Sequence, residues 1–102
     1  MIHVIATIRT TPGRRADLLA AFKELLPQVL AEDGCVAYTP TIDAQTDIAR
    51  QARVGDDVLV MIESWQSVEH LKAHLAAPHV IAFRQKAGAL IESSELRVLA
   101  PG

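Results

Sequence analysis

Cysteine is nearly absent from this chain: Cys35 stands alone among 102 residues. That excludes an internal disulfide framework and a zinc site built from cysteines. Aromatic residues are scarce too, with one tryptophan, Trp65, and one tyrosine, Tyr38. No block of Lys or Arg occurs; ten basic and twelve acidic side chains leave a formal net charge of -2. The chain therefore has no electrostatic footprint for nucleic acid. No apolar run is longer than Val58 to Ile62, far short of a bilayer span. The opening Met1-Ile2-His3-Val4 lacks the basic and long apolar regions of a signal peptide. Also missing are a Gly-rich phosphate loop, GxSxG and a dinucleotide fingerprint, so a nucleotide cofactor finds no support. A cytoplasmic protein, without membrane or nucleic-acid partners, is the expectation.

Half of the residues are apolar and 22% charged, which is not the composition of a disordered chain. The length suits one domain, residues 1–102. Ile2 to Thr10 alternates as a strand, with Ile2, Val4, Ala6 and Ile8 on one face, and ends at Thr11-Pro12-Gly13. Leu18, Leu19, Phe22, Leu25, Leu26, Val29 and Leu30 then recur at helical spacing. Pro27 inside that stripe predicts a kink or break near Lys23 to Leu26, and Gly34 supplies a left-handed cap. Cys35 to Ile42 reads as a second strand, with Val36, Tyr38, Pro40 and Ile42 on one side. Pro40 makes it an edge strand or a bulged one. Ala44 to Asp57 is polar: a long hairpin loop, or one with a helical turn at Asp47 to Arg53. Val58 to Trp65 is the strongest strand. Ser67 caps a helix carrying Val68, Leu71 and Leu75, which Pro78 breaks. A second helical pattern runs from Val80 to near Ser93, and Glu95 to Ala100 forms the last strand. This order is the split βαβ pattern of a ferredoxin-like α+β domain, an antiparallel sheet with helices on one face.

Such a sheet needs apolar residues on one face only. Here Val58 to Ile62 is apolar on both, and Ile5 joins the face opposite Val4. One chain has helices for a single face, and a bare apolar sheet is an aggregation hazard. A homodimer packed sheet to sheet about a two-fold axis is therefore expected.

Glu63 shares a strand face with Leu59, Met61 and Trp65. A carboxylate there gains a raised pKa and can act as a base near neutral pH; its structural reading is an anchor for backbone N–H groups. Trp65 can wall an apolar pocket or lid the core edge. His70 and His74 are four apart, a spacing that lets two imidazoles share a metal, yet no third ligand or HExxH motif accompanies them, and no metal is expected. His74 borders the Leu71/Leu75 stripe. His79 follows Pro78 at a helix start, where a neutral imidazole is favoured. Together they could face a pocket as proton shuttles, or be satisfied boundary histidines. Tyr38 and Arg84 are candidates to bind a phenolate or carboxylate. Cys35 has no base beside it and reads as an inert thiol.

Glu63-Ser64-Trp65-Gln66-Ser67, then Leu71, His74-Leu75, Pro78-His79 and Phe83, resembles the antibiotic biosynthesis monooxygenase domain. Glu32-Asp33-Gly34-Cys35 with Tyr38 resembles that family's E-P-G-C-x-x-Y step, with Asp33 in place of proline. The likeness runs from about Ile2 to Leu99. It implies a dimeric α+β barrel and a cofactor-independent oxygenase of small aromatic quinols or polyphenols. In that reading Glu63 and His74 handle protons, His79 is their partner, Trp65 stacks on the ring and Tyr38 joins them; Arg84 is a substrate-binding candidate from the residues alone. Positions matched to the Asn, Trp and His of the haem-degrading branch carry Ala6, His74 and Arg84, which argues against haem degradation. Two other readings stay open: an isomerase or lyase acting on a small lactone or acid, and a non-enzymatic ligand-binding or dimerising module.

Overall fold

The computed structural model describes all 102 residues. Strand β1 (Ile2–Thr10) leads to helix α1 (Arg15–Leu30), then to β2 (Cys35–Thr41) and β3 (Val58–Trp65). Helices α2 (Val68–Leu75) and α3 (Pro78–Ala87) follow, then a 3-10 turn at Gly88–Leu90 and β4 (Ile91–Leu99). The strands form one antiparallel sheet in the order β2-β3-β1-β4, which is the ferredoxin-like α+β arrangement. No helix is long and apolar enough to cross a membrane.

One face of the sheet carries the core. Ile2, Val4 and Ile8 of β1 and Leu59, Met61 and Trp65 of β3 pack with Leu18, Phe22, Leu25 and Val29 of α1 and Leu71 of α2. The steps of four, three and four residues keep the α1 set on a single stripe. Each fully buried side chain of this kind contributes roughly 1.5–3 kcal/mol. The opposite face has no helix over it, and Ile62 and Leu99 remain 41% and 45% exposed there.

Several sequence expectations need correction. Pro27 does not break the helix into two: α1 runs from Arg15 to Leu30 with Pro27 inside it. Proline removes one N–H, leaving the Lys23 carbonyl without its helical donor. Both residues are exposed, so water can take that place. The helix foreseen up to Ser93 ends at Ala87, and β4 begins at Ile91, four residues before Glu95. Glycine at position 88 is a poor helix former, and pairing of Ile91 with Thr10 extends the ladder instead. β2 is an edge strand, as Pro40 requires. Its irregularity lies between Cys35 and Ala37, so Val36 leaves the alternation with Tyr38.

No helix forms at Asp47 to Arg53. The loop is folded instead by Asp43, whose two carboxylate oxygens accept the Val54 and Gly55 N–H groups, each at 3.0 Å. These bonds hold the Asp43 carboxyl below the usual carboxylate range.

Gly34 turns the chain from α1 into β2 with φ of 81°. Its carbonyl accepts the Gln66 N–H at 2.9 Å. A Cβ built there would overlap the His70 ring. Gly34→Ala is therefore expected to cost about 1–3 kcal/mol in backbone strain and more from the overlap. Gly13→Ala, at φ of 77° with open space around it, meets only the backbone cost. Denaturant midpoints read the difference, and equal shifts for the two variants would contradict the close approach.

Candidate active site

The alternation of β3 places Glu63 between Met61 and Trp65 on the helix-covered face, and the register sets Tyr38 of β2 opposite it. Glu63 is 4% exposed and Trp65 fully buried. The indole Nε1–H donates to Glu63 Oε1 at 3.0 Å, so the carboxylate keeps one partner inside the core. His74, in the last turn of α2, closes over them. Its ring lies 4.6 Å from that of Trp65 and 5.4 Å from that of Tyr38, centroid to centroid. His74 Nδ1 is 2.9 and 3.1 Å from the two carboxylate oxygens of Glu32, in the turn after α1. A carboxylate only accepts, so Nδ1 carries the proton.

A cavity of about 330 Å³ opens between sheet and helices, lined by Tyr38, Met61, Glu63, His74, Phe83 and Arg84 among others. Ser94, Glu95 and Leu96 of β4 form one edge of it. Glu63 Oε2, His74 Nε2 and the Tyr38 hydroxyl make no hydrogen bond within the protein, whereas every fully buried side-chain nitrogen or oxygen has a partner. These three atoms therefore touch open space, and the cavity is the space their side chains line. Three unpartnered polar groups, on a mainly apolar wall that also carries Arg84, Ser94 and Glu95, form a site that can hold and deprotonate a small ligand.

Burial pushes the Glu63 carboxyl up to about 7, against the Trp65 hydrogen bond and with help from the Glu32 charge. Burial lowers His74, and the bond and charge of Glu32 oppose that shift. Burial, then the charges of Glu63 and Glu32, raise the Tyr38 hydroxyl, which stays protonated. Near neutrality the cavity thus presents a bare imidazole Nε2, a carboxyl close to half-ionised and a hydroxyl donor.

The structure brings Glu63, His74, Tyr38 and Arg84 to one cavity and separates the others. Trp65, read from sequence as a ring-stacking wall, lies behind the cavity and holds Glu63 and His74 instead. His79 does not share a pocket with His74. It lines a larger groove of about 480 Å³ between α1 and α3, and its Nε2 reaches Glu32 Oε2 at 2.9 Å. That groove holds none of the cavity's acid–base groups. Arg84 lines the cavity while its Nη1 donates to the Leu75 carbonyl at 3.2 Å. His70 bonds Ser67 and faces Asp33, so it does not converge with His74. Cys35 is held protonated by burial and by the charges of Glu32 and Glu63. Sequence reasoning quoted Glu32 in the Glu32-Asp33-Gly34-Cys35 step but gave it no role in this cluster. It lies 42 and 47 residues from its two histidines, and no local spacing could reveal it.

The antibiotic biosynthesis monooxygenase family model matches residues 1–86. The chain is 39% identical over 104 aligned positions to the probable quinol monooxygenase YgiN of Escherichia coli (strain K12), covering 100% of this chain and 99% of that one. Among solved structures, PA3566 from Pseudomonas aeruginosa superposes with a TM-score of 0.80 at 26% identity, over 99% of this chain and 93% of the other. Rv0793 from Mycobacterium tuberculosis does so with 0.78 at 28% identity, over 99% and 94%. Fold and cavity together define a ferredoxin-like domain with a cavity lined by titratable side chains between its sheet and helices. The chain belongs to the antibiotic biosynthesis monooxygenase family.

The position of Glu63 makes a stability prediction. Its carboxyl rises from 4.5 to about 7 in the folded protein, so folding favours the protonated form. That contribution is full below the unfolded value and is lost as pH rises through the folded one. Between pH 4.5 and about 7 the wild type should lose roughly 3 kcal/mol relative to Glu63→Gln. Denaturant unfolding of both proteins across this range measures it, and parallel pH profiles would refute a buried carboxyl.

Proposed function

We propose that this protein is a cofactor-independent oxygenase of small aromatic quinols. The observation that carries the reading is the convergence of Glu63, His74 and Tyr38, each with an unpartnered polar atom, on one largely apolar cavity. Its similarity to YgiN, named a probable quinol monooxygenase, supports the same chemistry.

A hydroquinone is electron-rich, and its anion can reduce dioxygen without metal or flavin. The protein then has three tasks: bind the ring away from water, remove a hydroxyl proton and hold the anion. His74 Nε2 takes the proton, and Glu63 is close enough in acidity to share the task near neutral pH. The Tyr38 hydroxyl donates to the anion, and Arg84 adds positive charge at the same wall. For a simple hydroquinone the balance is one ring plus dioxygen giving the hydroxyquinone and water. The ring surrenders four electrons, one oxygen atom forms the new C–O bond, and the other leaves as water with two hydrogens.

The same reading includes a homodimer. Ile62 and Leu99, with Ile5 and Val60, lie on the sheet face that no helix covers. A second copy of that face, turned about a two-fold axis, would remove them from water. Sedimentation should give a dimer at micromolar concentration, and Ile62→Lys should shift it toward single chains. A wild type sedimenting only as a well-folded monomer would end this part of the reading.

Oxygen uptake with a panel of hydroquinones tests the chemistry. Turnover should consume one dioxygen per hydroxyquinone without peroxide release. His74→Ala should lower kcat/KM by about 10²–10⁴. Anaerobic turnover of a lactone or acid, with no oxygen uptake on any quinol, would favour an isomerase or lyase instead.

A further inference from the structure

Glu32 is absent from the cavity wall, yet it binds the residue that does the work there. It sits in the turn that Gly34 closes, with its side chain 12% exposed. One of its oxygens, Oε2, lies 2.9 Å from both His74 Nδ1 and His79 Nε2. The other lies 3.1 Å from His74 Nδ1. Three segments distant in sequence therefore meet at one carboxylate: the exit of α1, the last turn of α2 and the first turn of α3.

We propose that Glu32 is the positioning residue of this site: it fixes His74 in the tautomer that presents a bare Nε2 to the cavity, and His79 anchors Glu32 from the groove side. The inference rests on the reading of His74 as the cavity base. An imidazole free to exchange tautomers would spend part of its time with Nε2 protonated and unable to accept. A carboxylate that only accepts removes that state. When Nε2 takes a proton, the resulting imidazolium faces the same carboxylate, which stabilises the charge without itself becoming protonated. In this account His79 moves no proton to or from the ligand. Its N–H holds the shared oxygen in place.

Nitrogen NMR of the imidazoles tests this without any substrate, so the outcome does not depend on whether the protein turns over quinols. The groups facing His74 are Glu32 and His79, the rings of Trp65 and Tyr38, and Glu63, Arg84 and Glu95 on the shared cavity wall. Of these, Glu32 is the one that raises its affinity for a proton. In the wild type above the titration of His74, the neutral ring should be the Nδ1–H form. Glu32→Gln should abolish that uniform tautomer, because an amide can donate as well as accept, and should move the titration to lower pH. With a turned-over quinol the same variant should lose about a hundredfold in kcat with KM changed only a few-fold. His79→Gln, whose amide can still donate to Glu32, should cost far less. An Nε2–H tautomer in the wild type overturns the proposal and needs no variant to see it. So does a Glu32→Gln protein with His74 tautomer and titration unaltered, or a His79→Gln loss as large as that of Glu32→Gln.

Discussion

A carboxyl group buried on the apolar face of the central strand β3 is the constraint around which this site is arranged. Glu63 has one internal partner, the Trp65 indole, two residues along the same strand. Two residues is the period of a strand, so acid and donor point the same way by geometry alone. The indole satisfies one oxygen and leaves the other for the cavity. The result is a carboxyl near 7 that is neither locked in an ion pair nor free in water. Replacing Trp65 would remove a large core side chain and the only hydrogen bond that makes burial of Glu63 tolerable.

The ferredoxin-like topology supplies the rest. β3 lies inside the sheet, between β2 and β1, so residues on its covered face are shielded on both sides. Two short helices, rather than one long one, cover this end. The break at Ala76 and Ala77 turns the chain so that His74 and His79 approach Glu32 from different helices. The break follows from Pro78 at the first position of α3, where a missing N–H costs nothing. Pro27, by contrast, sits on the exposed side of a long helix that continues through it, with Leu25 and Val29 of the buried stripe before and after it. The same residue type ends one helix and is tolerated by another because packing, not propensity, decides.

Strand and helix order was legible from periodicity, and so was the burial of Glu63, since Leu59, Met61 and Trp65 mark its face as apolar. The resemblance to the family named Glu63, Trp65, His74, His79 and Tyr38, of which the fold places Glu63, His74 and Tyr38 around one cavity, with Arg84, a candidate from the residues alone, beside them. What pattern could not supply was depth and partnership. Trp65 shares the Glu63 face but lies behind the cavity, a distinction of a few ångströms that alternation does not encode. His79 looked like a companion of His74, yet helix direction sends it to another groove. Glu32 stood in the motif that carried the resemblance, yet its role was hidden for a stronger reason: its contacts span more than forty residues and exist only after three segments converge. The start of β4 was misplaced because Ile91 to Ser94 fit the end of a helical pattern as well as a strand. Pairing with β1 decided between them.

The central claim is that the cavity takes a proton from an aromatic hydroxyl and keeps the anion. Ultraviolet difference spectra of a nitrophenol titrated into the protein without oxygen measure this directly. The account predicts that the bound ring shows the phenolate band at a pH where the free phenol is still protonated, and that His74→Ala abolishes the band. A ring that binds at saturation yet stays neutral, or ionises only where it does in water, would contradict it.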